Sequence, residues 1–184
     1  MSPARHIVLP APAELKGRRT LIRGEVNTGK TLLLAQVLQG LLAEGEADLA
    51  VIDMAPPLTK GVGGKMGGPW PAAVRYFAAE LVAPRLSGRN PAEVLTLAQD
   101  NARRLEQLFA QYLRRPARTL LINDVSMYLQ AGELSRLKEV LAASRTVVMN
   151  GYYGHSLGGG ELGRHERDQM DALARLCRRV INTG

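Results

Sequence analysis

Cysteine is nearly missing from this chain: its 184 residues include one, Cys177. An internal disulfide and any cysteine-based zinc cluster are therefore excluded. Aromatic residues are scarce too, with one tryptophan, two phenylalanines and five tyrosines, too few for a platform that stacks single-stranded nucleic acid. No apolar run approaches the ~20 residues a helix needs to cross a bilayer. Met1–Pro10 does not read as a signal peptide, because its short apolar core is broken at Pro10. These absences make the cytoplasm the expected location. What remains is an ordinary globular composition, 46% hydrophobic and 22% charged, long enough for one domain with a sizeable core. Lysine plus arginine number 24 against 17 aspartates and glutamates, a formal charge of +7. That balance favours anionic partners: a nucleotide, a phosphorylated substrate, nucleic acid or an acidic protein surface. The charges are dispersed, however, so a generally basic solvated surface is the preferred reading.

One stretch organises the rest: Gly24-Glu25-Val26-Asn27-Thr28-Gly29-Lys30-Thr31, which fits G-x-x-x-x-G-K-[ST] at every fixed position. Arg19–Arg23 before it is short and β-branched enough to be a strand. Leu32–Ala43 after it is a run of helix formers closed by Gly45. In this context Gly24 and Gly29 let the backbone turn and present N–H groups to phosphate oxygens. The helix adds unpaired amides and the positive end of its dipole. Lys30 supplies a point charge for the β- and γ-phosphates, and the Thr31 hydroxyl is a ligand for Mg²⁺. The expected nucleotide-binding set is Gly24, Glu25, Val26, Asn27, Thr28, Gly29, Lys30, Thr31 and Leu32. The stretch resembles the Walker A motif of the P-loop NTPase superfamily. That resemblance implies a three-layer α/β/α fold with a mainly parallel sheet, and a nucleoside triphosphate with Mg²⁺. It names no reaction.

A second stretch, Arg118–Asp124, sets three apolar residues (Leu120, Leu121, Ile122) before Asn123 and Asp124. This is similar to a Walker B strand, with Asp124 as the acid that completes the Mg²⁺ seat with Thr31. Further strands are expected at 47–54, 146–150 and 179–182, ending in Asp53, Asn150 and Asn182. With the strand before the P-loop, the count is about five. In a parallel α/β sheet all these ends meet at one edge, where ligands bind. Asp53 reads either as a general base or as a turn or outer-shell residue. Asn150 is similar to the polar sensor that several ATPase groups place after Walker B.

Helices are expected from Pro71 to about Val82, from Pro91 to about Leu113 after a capping Asn90, over 131–143, and from Glu161 or Leu162 to about Arg178. Residues 1–18 read as an irregular lead-in with an edge strand at Arg5–Leu9, within a single domain spanning 1–184. Ala55–Pro69, with five glycines and Pro56-Pro57, excludes regular structure. It is either a mobile substrate or partner loop, with Lys60 and Lys65 able to reach phosphate, or a tolerated insertion. His155, His165 and Glu161 match no established metal spacing. Arg164 and Arg167 read as an arginine finger or as solvated surface. No Asn-Lys-x-Asp guanine-reading motif is present, which favours ATP over GTP.

Three functions fit these residues. The first is an ATPase using Lys30, Thr31 and Asp124, with residues 55–69 and 151–160 as nucleotide-gated loops and an oligomer or partner as its target. The second is a phosphotransferase with Asp53 as base. The third is a nucleotide-dependent binding or assembly module, nucleic-acid associated through the basic surface.

Overall fold

A computed structural model describes residues 9–184, so most of the edge strand expected at Arg5–Leu9 lies outside the described residues. In chain order the elements are α1 (Pro12–Leu15), β1 (Arg19–Gly24), α2 (Lys30–Ala43), β2 (Leu49–Asp53), β3 (Val74–Ala78), α3 (Pro84–Ser87), α4 (Pro91–Leu113), β4 (Thr119–Asn123), α5 (Ser126–Leu129), α6 (Leu134–Ala142), β5 (Thr146–Tyr152), α7 (Gly160–Ala174) and β6 (Arg179–Thr183). All six strands are parallel, in the order β3-β2-β4-β5-β1-β6.

Every residue of β2, β4 and β5 is buried, as strands covered on both faces require. Alternate side chains serve opposite layers. Leu21, Ala50, Ile52, Leu120, Ile122, Val147 and Met149 pack with α4–α7 on one face. Ile22, Leu49, Val51, Leu121 and Val148 meet Leu34, Val37, Leu38 and Leu41 of α2 on the other. This period of two through the strands produces the three-layer architecture that the P-loop resemblance implied.

The sheet has one strand more than the sequence count, because the segment expected as a helix from Pro71 to Val82 contains β3. Alternation of side chains overrides the helix-forming alanines there. Tyr76 stacks on Trp70 at 4.7 Å on one side of the strand, and Phe77 meets Tyr112 edge-on at 5.8 Å on the other. The other boundaries move less. α4 matches, with Asn90 Oδ1 accepting the Glu93 N–H at 2.9 Å. α7 stops at Ala174, so Cys177 lies in the connection to β6 rather than on the helix.

Candidate functional site

The ends of β1, β2, β4 and β5 converge at one edge, and the loop between β1 and α2 bends over it. Gly24 and Gly29 are glycine for different reasons. A Cβ on Gly24 would lie 2.0 Å from the Thr183 carbonyl, so the missing side chain lets β6 end against the loop. Gly29 has φ 79° and open space around it. It caps α2 in a left-handed turn that other residues disfavour, leaving the helix amides uncovered.

Val26 to Leu32 line a cavity of about 360 Å³ that Asp124 and Asn150 also border. Gly24 and Glu25 stand outside that lining. Lys30 folds back onto its own loop, donating to the Glu25 carbonyl and, at 3.4 Å, to Thr28 Oγ1. Burial pushes its ammonium below the usual lysine range, while Asp124 and Glu25 pull the other way.

Opposite the P-loop, the residue that meets Thr31 is Asn123. The Thr31 hydroxyl donates to Asn123 Oδ1 at 3.1 Å, and Asn150 Nδ2 donates to the same oxygen at 3.1 Å. Asn123 Nδ2 donates to Asp53 Oδ1 at 2.9 Å and to the Gly64 carbonyl at 3.5 Å. One amide thus joins α2, β2, β5 and the 55–69 segment.

Asp124 comes one residue beyond the strand, in a left-handed conformation (φ 57°) that aspartate tolerates better than most residues. Asn150 Oδ1 holds its N–H at 2.6 Å, and Ser126 Oγ donates to its carboxylate at 2.6 Å. Burial raises this carboxyl above the usual range, opposed by the Ser126 hydrogen bond and by Lys30. A half-buried carboxylate on the cavity wall, beside the Ser126 hydroxyl and under the influence of Lys30, suits Mg²⁺, which needs one or two protein oxygens and takes the rest from phosphate and water. No cluster of three or more metal-ligating side chains occurs among the described residues, so His155, His165 and Glu161 form none.

Asp53 is fully buried and already accepts four hydrogen bonds: from the Ala55 N–H at 3.1 Å, Asn123 Nδ2 at 2.9 Å, the Met66 N–H at 2.6 Å and the Tyr76 hydroxyl at 2.8 Å. It does not border the cavity. The carboxylate instead fixes the entry and exit of the 55–69 segment. Lys65 adds to this by donating to the Ala55 and Ala79 carbonyls, both at 2.9 Å. Lys65 is therefore turned into the loop, and Val62, Gly63 and Gly64 form cavity wall.

Five residues take roles at the site that the sequence did not show: Glu25 and Arg167 in contacts other than those expected, and Arg85, Gln130 and Glu166 without any expectation. The Glu25 carboxylate accepts hydrogen bonds from the His155 N–H at 2.8 Å, the Ser156 N–H at 3.2 Å and the Ser156 hydroxyl, tying the loop after β5 to the P-loop. Arg167 braces that loop from α7, at the Gly154 carbonyl. The others are Arg85, Gln130 and Glu166, which form a buried wall at the far end of the cavity. Arg85 Nη2 lies 2.5 Å from Glu166 Oε2, and Gln130 Nε2 donates to Glu166 Oε1 at 3.1 Å. Helical spacing was a usable signal for Glu166: it shares a face with Met170 and Leu173, and all three are buried.

The Glu25 tie has an acid signature. Burial raises the carboxyl, but hydrogen bonds from the Ser156 hydroxyl, the His155 N–H, the Val26 N–H and the Ser156 N–H outweigh it and bring it to about 2, from an ordinary 4.5. A carboxyl depressed on folding stabilises the fold above its unfolded value and loses that contribution as pH falls through the folded one. Hydrogen-exchange protection of the His155 and Ser156 amides should therefore persist at pH 4. Glu25→Gln should lower it about tenfold at that pH, the loss of roughly one charge-assisted hydrogen bond.

No protein-family model matches the chain, and no curated protein matches it. Among solved structures it is similar to the flagellar accessory protein FlaH from Methanocaldococcus jannaschii, with a TM-score of 0.50 and 12% identity over 91% of this chain and 71% of that one. Fold and comparison together show an α/β fold with an all-parallel six-stranded sheet, consistent with a P-loop NTPase-type fold. No helix among the described residues is long and apolar enough to cross a membrane.

Proposed function

We propose that this chain binds Mg·ATP on residues 24–32 and hydrolyses it, coupling the nucleotide state to a partner through the loop after β5. The observation that carries this reading is the meeting of Lys30, Thr31 and Asp124 on one cavity beneath an open Gly29 turn. Lys30 would leave the Glu25 carbonyl for the phosphates. Thr31 and Asp124 would hold Mg²⁺, which when bound offsets the charge of the β- and γ-phosphates. Asn150, by holding the Asp124 N–H, fixes the acid's position. Glu25 would transmit occupancy, because the residue that bends around the phosphates also holds residues 155–156.

The phosphotransferase reading loses its base, since all four Asp53 contacts are structural and the residue stands off the cavity. Adenine over guanine rests on the missing guanine-reading motif alone.

The test is thermal unfolding with and without nucleotide. Mg·ATP at a hundred times its Kd should stabilise the protein by about 2.7 kcal/mol, with phosphate released when no acceptor is added. Lys30→Ala should abolish both. A wild-type protein that Mg·ATP and Mg·GTP both leave unshifted would sink the proposal.

A further inference from the structure

A separate cavity of about 190 Å³ lies between the loop after β5 and α7. Residues 152–155 form one side of it, and Arg164 and Arg167 of α7 the other. Arg85 and Glu166 part it from the nucleotide cavity, whose wall they also form. Its volume is below the ~300 Å³ at which sites for drug-sized molecules begin, and suits a small ion with its waters.

The lining carries an unbalanced charge. Its charged side chains are Arg85, Arg164, Arg167 and Glu166. Arg85 and Glu166 settle each other at 2.5 Å. Arg164 and Arg167 border this cavity and not the nucleotide one. Among the described residues, neither forms an ion pair.

The acids nearby do not supply the missing charge. Asp171 is taken by Arg23 at 2.8 Å. Glu25 is taken by the amides of His155 and Ser156 and does not line the cavity. Glu161 and Asp168 share the helix but pair with neither arginine. Arg167 Nη2 meets only neutral acceptors, the Gly154 carbonyl and His155 Nδ1, the latter at 3.1 Å. Three positions apart on α7, the two guanidinium groups share a face and repel. An anion between them removes that cost, and the guanidinium fork matches the oxygens of phosphate.

We infer that this cavity binds a phosphate group, either the free ion or the terminal monoester of a second ligand, through Arg164 and Arg167. This goes beyond nucleotide binding at the P-loop and does not depend on it. The two sites would still feel each other. Arg167 holds the Gly154 carbonyl and Glu25 holds the next two residues, so an anion that drew Arg167 away would act on the loop that Glu25 anchors.

The probe is inorganic phosphate, titrated without Mg²⁺ or nucleotide and followed by ¹H–¹⁵N shift mapping, with sodium chloride at equal ionic strength as the reference. Lys30→Ala is the host, because the helix N-terminus of a P-loop can itself hold phosphate. Phosphate should bind with a Kd of about 1 mM or tighter, the worth of two charge-assisted hydrogen bonds, with shifts centred on residues 158–167. Arg164→Gln should weaken it about tenfold, the loss of one such bond. Arg114→Gln, which removes the same charge from the exposed end of α4, should leave it unchanged. Phenyl phosphate separates the two sources: tighter binding than the free ion assigns the site to a monoester, weaker binding to inorganic phosphate, and both support the inference. Equal shifts from chloride overturn it, as do equal effects of Arg114→Gln and Arg164→Gln, leaving the two arginines as solvated surface. If Lys30→Ala does not fold, the same titration of the wild type decides, because shifts at 24–32 and at 158–167 are read separately. Shifts at 24–32 alone then overturn the inference. A failed nucleotide reading would abolish the thermal shift with Mg·ATP and leave the phosphate shifts at 158–167 in place, so the two readings fail separately.

Discussion

Asp124→Asn should leave ATP binding within a fewfold of wild type and slow its hydrolysis by about 10²–10³-fold, the usual cost of removing one preorganised electrostatic group from a reacting centre. The substitution is nearly isosteric. Asparagine tolerates the left-handed backbone at this position, and its amide oxygen can still accept from Ser126 Oγ. What disappears is the negative charge on the wall facing Lys30 and Thr31. Binding is spared because Lys30 and the amides of the Gly29 turn are intact. Single-turnover phosphate release, read beside nucleotide-induced thermal shifts, separates the two effects. If kcat and affinity fell together, Asp124 would be serving binding generally rather than the reacting phosphate. Unchanged hydrolysis would remove Asp124 from the mechanism altogether.

The sheet and the glycine turn at 24–31 were legible in the sequence because both depend on local patterns. Glycine at 24 and 29, a lysine and a threonine at fixed spacing, and apolar runs of strand length need no partner to be recognised. β3 was lost because its evidence is contextual: Val74–Ala78 becomes a strand only when Tyr76 finds Trp70 and Phe77 finds Tyr112. The 55–69 segment was read as irregular, and it is, apart from one isolated bridge at Thr59–Val62. Its anchoring by Asp53 and Lys65 could not be read, since those hydrogen bonds go to backbone atoms that carry no sequence signature. The same holds for Glu25, which looked like a variable position within the P-loop and reaches a loop 130 residues away. Asn123 is a finer case. The pattern of apolar residues before an acid drew attention to Asp124, while the strand end itself, opposite Thr31, is the asparagine before it.

That asparagine should be the costliest polar residue in the protein to replace. Asn123→Leu should destabilise the fold by about 4 kcal/mol or more, measured as a lowered midpoint of urea unfolding at unchanged m-value. Leucine fits the volume but meets none of the four partners. The Thr31 hydroxyl and Asn150 Nδ2 would lose their shared acceptor, Asp53 Oδ1 would lose a donor, and the Gly64 carbonyl would lose its more distant one. Asp53 and Asn150 are essentially fully buried, so water cannot replace those bonds without the sheet edge opening. Asn123→Asp sharpens the argument, because it keeps the acceptor for Thr31 and Asn150 while inverting the contact with Asp53 and giving up the longer one to the Gly64 carbonyl. Two carboxylates would then face each other at the distance now spanned by a 2.9 Å hydrogen bond, and such a pair holds a proton more tightly than either group does in the unfolded chain. A carboxyl raised on folding favours the native state at low pH and loses that advantage as pH rises through its folded value. The Asn123→Asp variant should therefore approach wild-type stability near pH 4 and fall behind it at pH 8, whereas the Asn123→Leu deficit should not narrow on acidification. A β4 end that tolerates leucine at 123 with little loss would mean that the junction beneath the P-loop is not what holds the site together.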